Sequence, residues 1–509
     1  MKLALLIPPP LMSTMPQRTE LARRDSTSDR HEESPPRGPF PSSTLRPARW
    51  ELVGFLGSLA LFMFISLLVI SQGSPLGHDE AVYAARAREI LNGEPLSSWW
   101  AANRAPGLPL LLNLAWIGNV TETHLRLVVT VCGALLLVAT WLLGRLMIGP
   151  RAAMVAAYGI AVSPVVLMSA SQVWPDVPGA AVGMAALCVY AYGLVSSRFR
   201  WSTVALVIAL AGVATVIRYG APIPMVIGLV GLTLWKWPAE RERKVRVVTA
   251  ALGIGVVMAI ILMTPLLTGA SSPVETISSR DPAQNPIFGG FGDYWGLREQ
   301  VFAGSTVVGL AAAAIGILGV ATSQTLRRDF LFPFAVLVCT FVALATVVHG
   351  EVRYLSPTIP WLWLCAGAAL VWRFSHMPKP ATLAMAVCAV VALAVFAPEQ
   401  ADSEMEVNQG FINMKKAALT LRSDSQCAAL TSLLYTPVVE WYSGCETAAI
   451  NRGANLPDGP LYLLTVENAL NQEQSELIGE YLTSTTAKPI AVGDSDSRFP
   501  QVEIWRLSD

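Results

Sequence analysis

Charge is scarce in this chain: only 14% of its residues are Asp, Glu, Lys or Arg, and the formal net charge is zero. A balance of that kind gives no electrostatic footprint for nucleic acid, so nucleic-acid binding is excluded as a leading function. Histidine is nearly absent, with five in 509 residues, and the seven cysteines include no Cys-x-x-Cys pair. No structural metal site is therefore expected from spacing. Cys132, Cys188, Cys339, Cys365 and Cys388 fall inside apolar runs, where cysteine acts as a small buried hydrophobe. Cys427 and Cys445 fall in a polar region and can pair if that region lies outside the cytoplasm.

Apolar length is what the chain has in quantity. Hydrophobic residues make up 53% and the mean hydropathy is +0.49, values that place it among polytopic membrane proteins. Residues 1–49, rich in Pro, Ser, Arg and Glu, are expected to form a disordered cytoplasmic tail. The short run at 3–12 is broken by Pro8, Pro9 and Pro10 and makes no convincing signal peptide. Candidate spans follow at 52–70, 125–147, 152–170, 175–195, 201–217, 221–235, 245–267, 301–322, 330–348, 355–371 and 381–396, about eleven in all. Residues 398–509 are polar, with strand-like runs at 427–431, 461–466 and 501–507 and a helix-like stretch at 472–482, which predicts a small α/β domain. The expected architecture is a polytopic α-helical membrane domain over 50–397 with this α/β domain appended.

Residues 108–117 are apolar but short, with Pro106 and Pro109 at their start, and are predicted to lie at the interface without crossing. Positive charge decides the matter. If the N-terminus is inside and this segment does not cross, the loops at 149–151, 197–200, 236–246, 327–328 and 373–379 are all cytoplasmic, and all are basic. Counting 108–117 as a span puts every one of them outside. The same topology places 77–104, 171–176, 218–220, 268–300, 349–353 and the C-terminal domain on the outer face.

The remaining charges collect at those outer loops. The first of them, at 72–107, carries Asp79-Glu80-Ala81-Val82-Tyr83, with Arg86 further on, paired Trp99 and Trp100, and Arg104 before Ala105-Pro106-Gly107. On a helix Asp79, Tyr83 and Arg86 share one face. Asp176 stands at a second outer end, Arg218 at a third, and His349, Glu351, Arg353 and Tyr354 at a fourth. Each has a plain alternative: an aspartate can cap a helix, and an arginine can snorkel to the headgroups. Outer arginines nevertheless run against the positive-inside bias, and guanidinium groups suit phosphate through paired donors. Three cations beside two acids on one side indicate an anionic ligand at the interface. His349 and Glu351 could take a divalent metal ion, on weak spacing.

In their order and sidedness these motifs resemble the GT-C superfamily of polyprenyl-phosphate-dependent membrane glycosyltransferases, in particular its protein mannosyltransferase and ArnT-like branch. The likeness covers roughly residues 52–371. It rests on Asp79-Glu80-Ala81-Val82-Tyr83-Ala84, on Arg104-Ala105-Pro106-Gly107-Leu108, on Asp176, and on Arg353-Tyr354-Leu355-Ser356-Pro357. Ala105 departs from it, since the family often has proline there. The resemblance implies sugar transfer from a polyprenyl-phosphate donor to a lipid, glycan or protein acceptor on the outer face of the cell membrane, with inversion. It implies Asp79 as base, with Glu80 and Asp176 as neighbouring acids. Tyr83, Arg86, Arg104, Arg218, His349, Arg353 and Tyr354 become candidate substrate contacts, and some relatives use a divalent metal. The rival readings are a transporter or a cell-envelope scaffold. A transporter calls for midplane charges and repeated halves, whereas here the acids lie at span ends and no repeat is evident.

Overall fold

The computed structural model describes residues 47–94, 104–116, 120–196, 199–267, 289–301, 304–347, 350–375, 390–391, 393–395, 397, 408–422, 427–450, 460–466, 472–484, 488–492 and 502–508. Residues 49–509 form one compact unit. Its membrane part begins with α1 (Arg49–Ser71), the loop helix α2 (His78–Asn92), the short α3 (Gly107–Leu112) and α4 (Glu122–Met147). It continues through α5 (Pro150–Ala161), α6 (Pro164–Ala170), α7 (Asp176–Val195), α8 (Trp201–Ile217), α9 (Pro222–Trp235) and α10 (Arg241–Leu267). After α11 (Gly289–Gly296) and the single turn α12 (Arg298–Val301) come α13 (Ser305–Val320), α14 (Gln324–Val347) and α15 (Ile359–Phe374).

Five of the described helices are long and apolar enough to cross a bilayer, six if the pair α5–α6 counts as one. Four shorter apolar helices, α8, α9, α13 and α15, complete the set. All the candidate spans from 52 to 371 therefore correspond to helices; the last, at 381–396, falls mostly outside the described residues. The α5–α6 pair bends by 58°. Its cause is Pro164, which cannot donate a helical N–H and pushes Ser163 into an extended conformation. The described part of the 108–117 segment is too short to span: α3 is six residues long and gives way to a 3₁₀ turn at Asn113–Ala115. Leu108 and Leu112 are buried while Leu110 and Leu114 are exposed, the pattern of a segment with one face packed and the other open.

Small residues let these helices approach closely, which is how helices associate where the surroundings are as apolar as their side chains. A Cβ on Gly367 of α15 would sit 2.5 Å from the Ala152 carbonyl of α5, and one on Gly159 of α5 would enter the Trp363 ring. Gly107 makes the same approach near the start of α3, where a Cβ would lie 2.6 Å from the Val216 carbonyl at the end of α8.

The C-terminal part holds α16 (Ile412–Leu421), β1 (Ala428–Thr431), α17 (Thr436–Ser443), β2 (Glu446–Ala449), β3 (Leu461–Val466), α18 (Gln472–Ser484), β4 (Lys488–Val492) and β5 (Val502–Ser508). The sheet order is β2-β1-β3-β5-β4, with β1 parallel to β2 and β3, and β5 antiparallel to β3 and β4. Alternation along the strands sorts the two faces. Ala429, Tyr462, Leu464 and Ile504 pack in one cluster with α16, α17 and the outer-loop residues Leu76, Ala81 and Ala84. Ala428, Leu430 and Leu463 pack in another with Leu477 and Ile478 of α18. Cys427 and Cys445 form a disulfide joining the starts of β1 and β2.

Candidate active site at the outer loop

The loop before α2 is fixed by a buried ion pair. Glu80 and Arg126 are each 1% exposed and meet through two hydrogen bonds, Nε to Oε1 at 3.0 Å and Nη2 to Oε2 at 2.8 Å. Arg126 also donates to the Ser74 and Pro75 carbonyls, so it grips the chain just ahead of the helix. Glu80 accepts from the backbone N–H groups of Gly77 and Val173 and from the Asn408 side chain. One carboxylate thus joins α2 to α4, to the 171–176 turn and to the lead-in of the C-terminal part. No lone pair is left over for a substrate hydroxyl.

Neighbouring Asp79 has the opposite environment. It is the second residue of α2, after Gly77 as N-cap, so it does not cap the helix. One carboxylate oxygen pairs with Arg104 at 2.8 Å and the other with Arg353 at 2.8 Å. Its side chain stays 31% exposed, open to a ligand. Burial pushes the Asp79 carboxyl pKa up, but Arg353 and Arg104 outweigh it and hold the group below its ordinary value. Arg353 in turn pairs with Glu351 and lies over the Trp174 ring, 4.7 Å from its centroid. The Tyr354 hydroxyl donates to Glu351 at 3.1 Å, and burial raises that phenol to about 12.

Asp176, 1% exposed at the start of α7, pairs with Arg218; the helix is capped by Pro175, so Asp176 is not its cap either. The second Asp176 oxygen has no hydrogen-bond partner among the described residues, and the buried Tyr294 hydroxyl has none either. Arg218 stacks over the Tyr354 ring at 4.6 Å. Asp79, Arg104, Arg353, Tyr354, Arg218 and Asp176 therefore form one continuous cluster, drawn from five separate stretches of chain. Tyr83 borders it, with its ring 6.0 Å from the Arg104 guanidinium. Arg86 turns instead to Glu89 at 2.8 Å, along its own helix. His349 and the Trp99–Trp100 pair lie outside the described residues.

Sequence reading passed over three contributors. Arg126 was absorbed into an apolar span, although a lone arginine inside such a run is itself a signal. Trp174 falls within the 171–176 loop with nothing in the sequence to single it out, and Tyr294 carries no pattern at all. Among the described residues no three His, Cys, Asp or Glu side chains come together. The acids at this site are each met by an arginine, a donor set suited to an anion more than to a divalent cation.

Residues 103–268 match the family model of the dolichyl-phosphate-mannose-protein mannosyltransferases. The fold is similar to that of ArnT from Cupriavidus metallidurans bound to undecaprenyl phosphate, with a TM-score of 0.65 and 14% identity over 90% of this chain and 98% of that one. Apo ArnT from the same organism gives a TM-score of 0.61 and 16% identity over 88% and 98% of the two chains. The archaeal oligosaccharyltransferase AglB from Archaeoglobus fulgidus, in complex with an inhibitory peptide and a dolichol-phosphate, gives 0.55 and 14% over 82% and 69%. No curated protein sequence matches the chain. The likeness that the motifs carried is thus borne out, and the chain has the GT-C membrane fold.

Proposed function

We propose that this multi-pass membrane protein transfers a sugar from a polyprenyl-phosphate donor to an acceptor hydroxyl or amine on the outer face of the membrane, with inversion. The observation that carries this reading is Asp79, partly exposed and held between Arg104 and Arg353 beside the Asp176–Arg218 pair. That is an acid able to take a proton, set among cations able to receive a phosphate. The ArnT structure bound to undecaprenyl phosphate and the AglB structure with dolichol-phosphate support a lipid phosphate as the anion.

In the proposed step the acceptor oxygen attacks the anomeric carbon, and its proton passes to Asp79. The bond from that carbon to the phosphate oxygen breaks, and its electron pair stays on the lipid phosphate. Arg353 and Arg104 stabilise the charge that grows there. As they turn toward phosphate they release Asp79, whose basicity rises when the donor is bound. Glu80 orients the loop, and Asp176 holds Arg218 and offers its second oxygen to the acceptor. The N-terminus is assigned to the cytoplasm and residues 398–509 to an outer domain, on the strength of the basic loops at the other end of the bundle.

The test is turnover of a radiolabelled polyprenyl-phosphate sugar by purified Asp79→Asn. General-base loss predicts a fall of about 10²–10⁴-fold with donor binding retained. Near-normal turnover in a folded variant would sink the assignment.

A further inference from the structure

His78 stands directly before Asp79, in the turn of α2 that carries the proposed base. It is the first residue of the helix after the Gly77 cap, and its ring is half-buried. The Nδ1 atom lies 2.7 Å from the Leu434 carbonyl, in the turn between β1 and α17. A carbonyl oxygen can only accept, so Nδ1 carries the hydrogen. In the neutral ring the other nitrogen, Nε2, then holds a bare lone pair. It sits across the ring from Leu434 and has no hydrogen-bond partner among the described residues.

The surroundings of the ring keep that lone pair available. Burial lowers the His78 pKa more than the Leu434 carbonyl and Asp79 raise it, and Arg104 lowers it further, so the imidazole is mainly neutral at pH 7. Asp79 and Arg104 are the charged groups that act on it, and His78 acts in return on Asp79. A neutral imidazole with one nitrogen tied and the other free, next to a carboxylate, is suited to moving a proton.

We propose that His78 is the exit for the acceptor's proton, an inference that rests on the transferase reading with Asp79 as base. Once Arg104 and Arg353 have turned to the lipid phosphate, Asp79 is more basic and keeps the proton it has taken. The O–H bond on Asp79 then breaks, and the proton joins the Nε2 lone pair directly or through one water. Asp79 returns to carboxylate. His78 becomes an imidazolium whose Nδ1–H still donates to the Leu434 carbonyl. The transfer runs downhill, because imidazole is ordinarily a stronger base than carboxylate. The imidazolium then gives the proton to water from its open side, and the ring is neutral again. The carbonyl that fixes the ring belongs to the C-terminal part, which thereby completes the site.

Substitution separates the two ring nitrogens. His78→Asn places an amide N–H where Nδ1–H was, so the tie to Leu434 is kept and Nε2 is lost. The purified full chain carrying it is expected to unfold at the wild-type midpoint and to bind donor normally. Its kcat for a radiolabelled polyprenyl-phosphate sugar, with solubilised membranes as the acceptor source, should fall about 10²-fold. In His78→Gly, added imidazole should restore turnover saturably, and less basic imidazoles should restore it less. Wild-type kcat in His78→Asn, or a folded His78→Gly that imidazole does not rescue, overturns the inference and leaves the ring a structural tie only. Should His78→Asn unfold early, the imidazole series decides alone. No donor turnover by the wild type defeats the transferase reading itself, and the proton exit with it.

Discussion

Two adjacent acids on α2 have separate tasks because their surroundings differ. Asp79 is partly exposed and ion-paired, and its pKa lies below the ordinary 3.8 because Arg353 and Arg104 prevail over burial. A base must be ionised to accept a proton, and a carboxyl is ionised above its pKa. The kcat/KM profile of the wild type is therefore expected to stay flat on the acid side from pH 8 down to about 5. Arg353→Ala removes a cation, raises the Asp79 pKa and should shift the acid limb to higher pH; an unmoved limb argues against Asp79 as the titrating base. Arg353→Lys keeps the charge but loses the planar fork that spans Asp79 and Glu351. A kcat/KM loss of about tenfold to hundredfold is expected in donor-turnover assays.

At the scale of elements, the outer loop depends on the Glu80–Arg126 pair and the membrane bundle on its glycines. Glu80→Ala leaves a buried guanidinium unpaired and is expected to cost about 3–5 kcal/mol, read as a lowered unfolding midpoint in detergent. Replacing both partners, Glu80→Leu with Arg126→Met, should recover part of that loss, because no uncompensated charge remains. Recovery of stability without recovery of turnover would separate holding the loop from catalysis. Gly367→Val drives a side chain into the Ala152 carbonyl, and about 1–3 kcal/mol of destabilisation is expected from such overpacking. Thermal unfolding of the variant checks it.

Across the whole molecule, the C-terminal part is fastened to the outer loop by polar ties as well as by the shared apolar cluster. The Tyr442 hydroxyl accepts from the Leu76 N–H at 2.8 Å and donates to Glu122 at 2.7 Å. Arg88 donates to the Glu440 and Trp441 carbonyls of α17, and His78 meets the Leu434 carbonyl at 2.7 Å. The disulfide braces this region by closing a loop with a sequence separation of 18, worth about 3 kcal/mol in the chain-entropy account. Cys427→Ser with Cys445→Ser should therefore lower the unfolding midpoint and turnover together, and reductant should reproduce the effect on the wild type. A variant with unchanged turnover would show that α17 does not set the position of α2.

The helices can be read from the amino-acid order alone, because a backbone in lipid must satisfy its own hydrogen bonds and a span must be apolar over a fixed length. That order also marked residues 108–117 as too short to cross, and the six-residue helix Gly107–Leu112 agrees. The strands β1, β3 and β5 were legible from short apolar runs, whereas β2 and β4 were not. Asp79, Asp176, Arg104, Arg218 and Arg353 were legible as a group because charges in so apolar a chain are conspicuous. Which of these groups pair with one another emerges only once the helices are packed. Glu80 became a buried anchor, Arg86 turned to its own helix, and Arg126, Trp174 and Tyr294 entered the picture. Pairing across tens to hundreds of residues depends on the packing of whole helices, and periodicity within one helix carries no record of it.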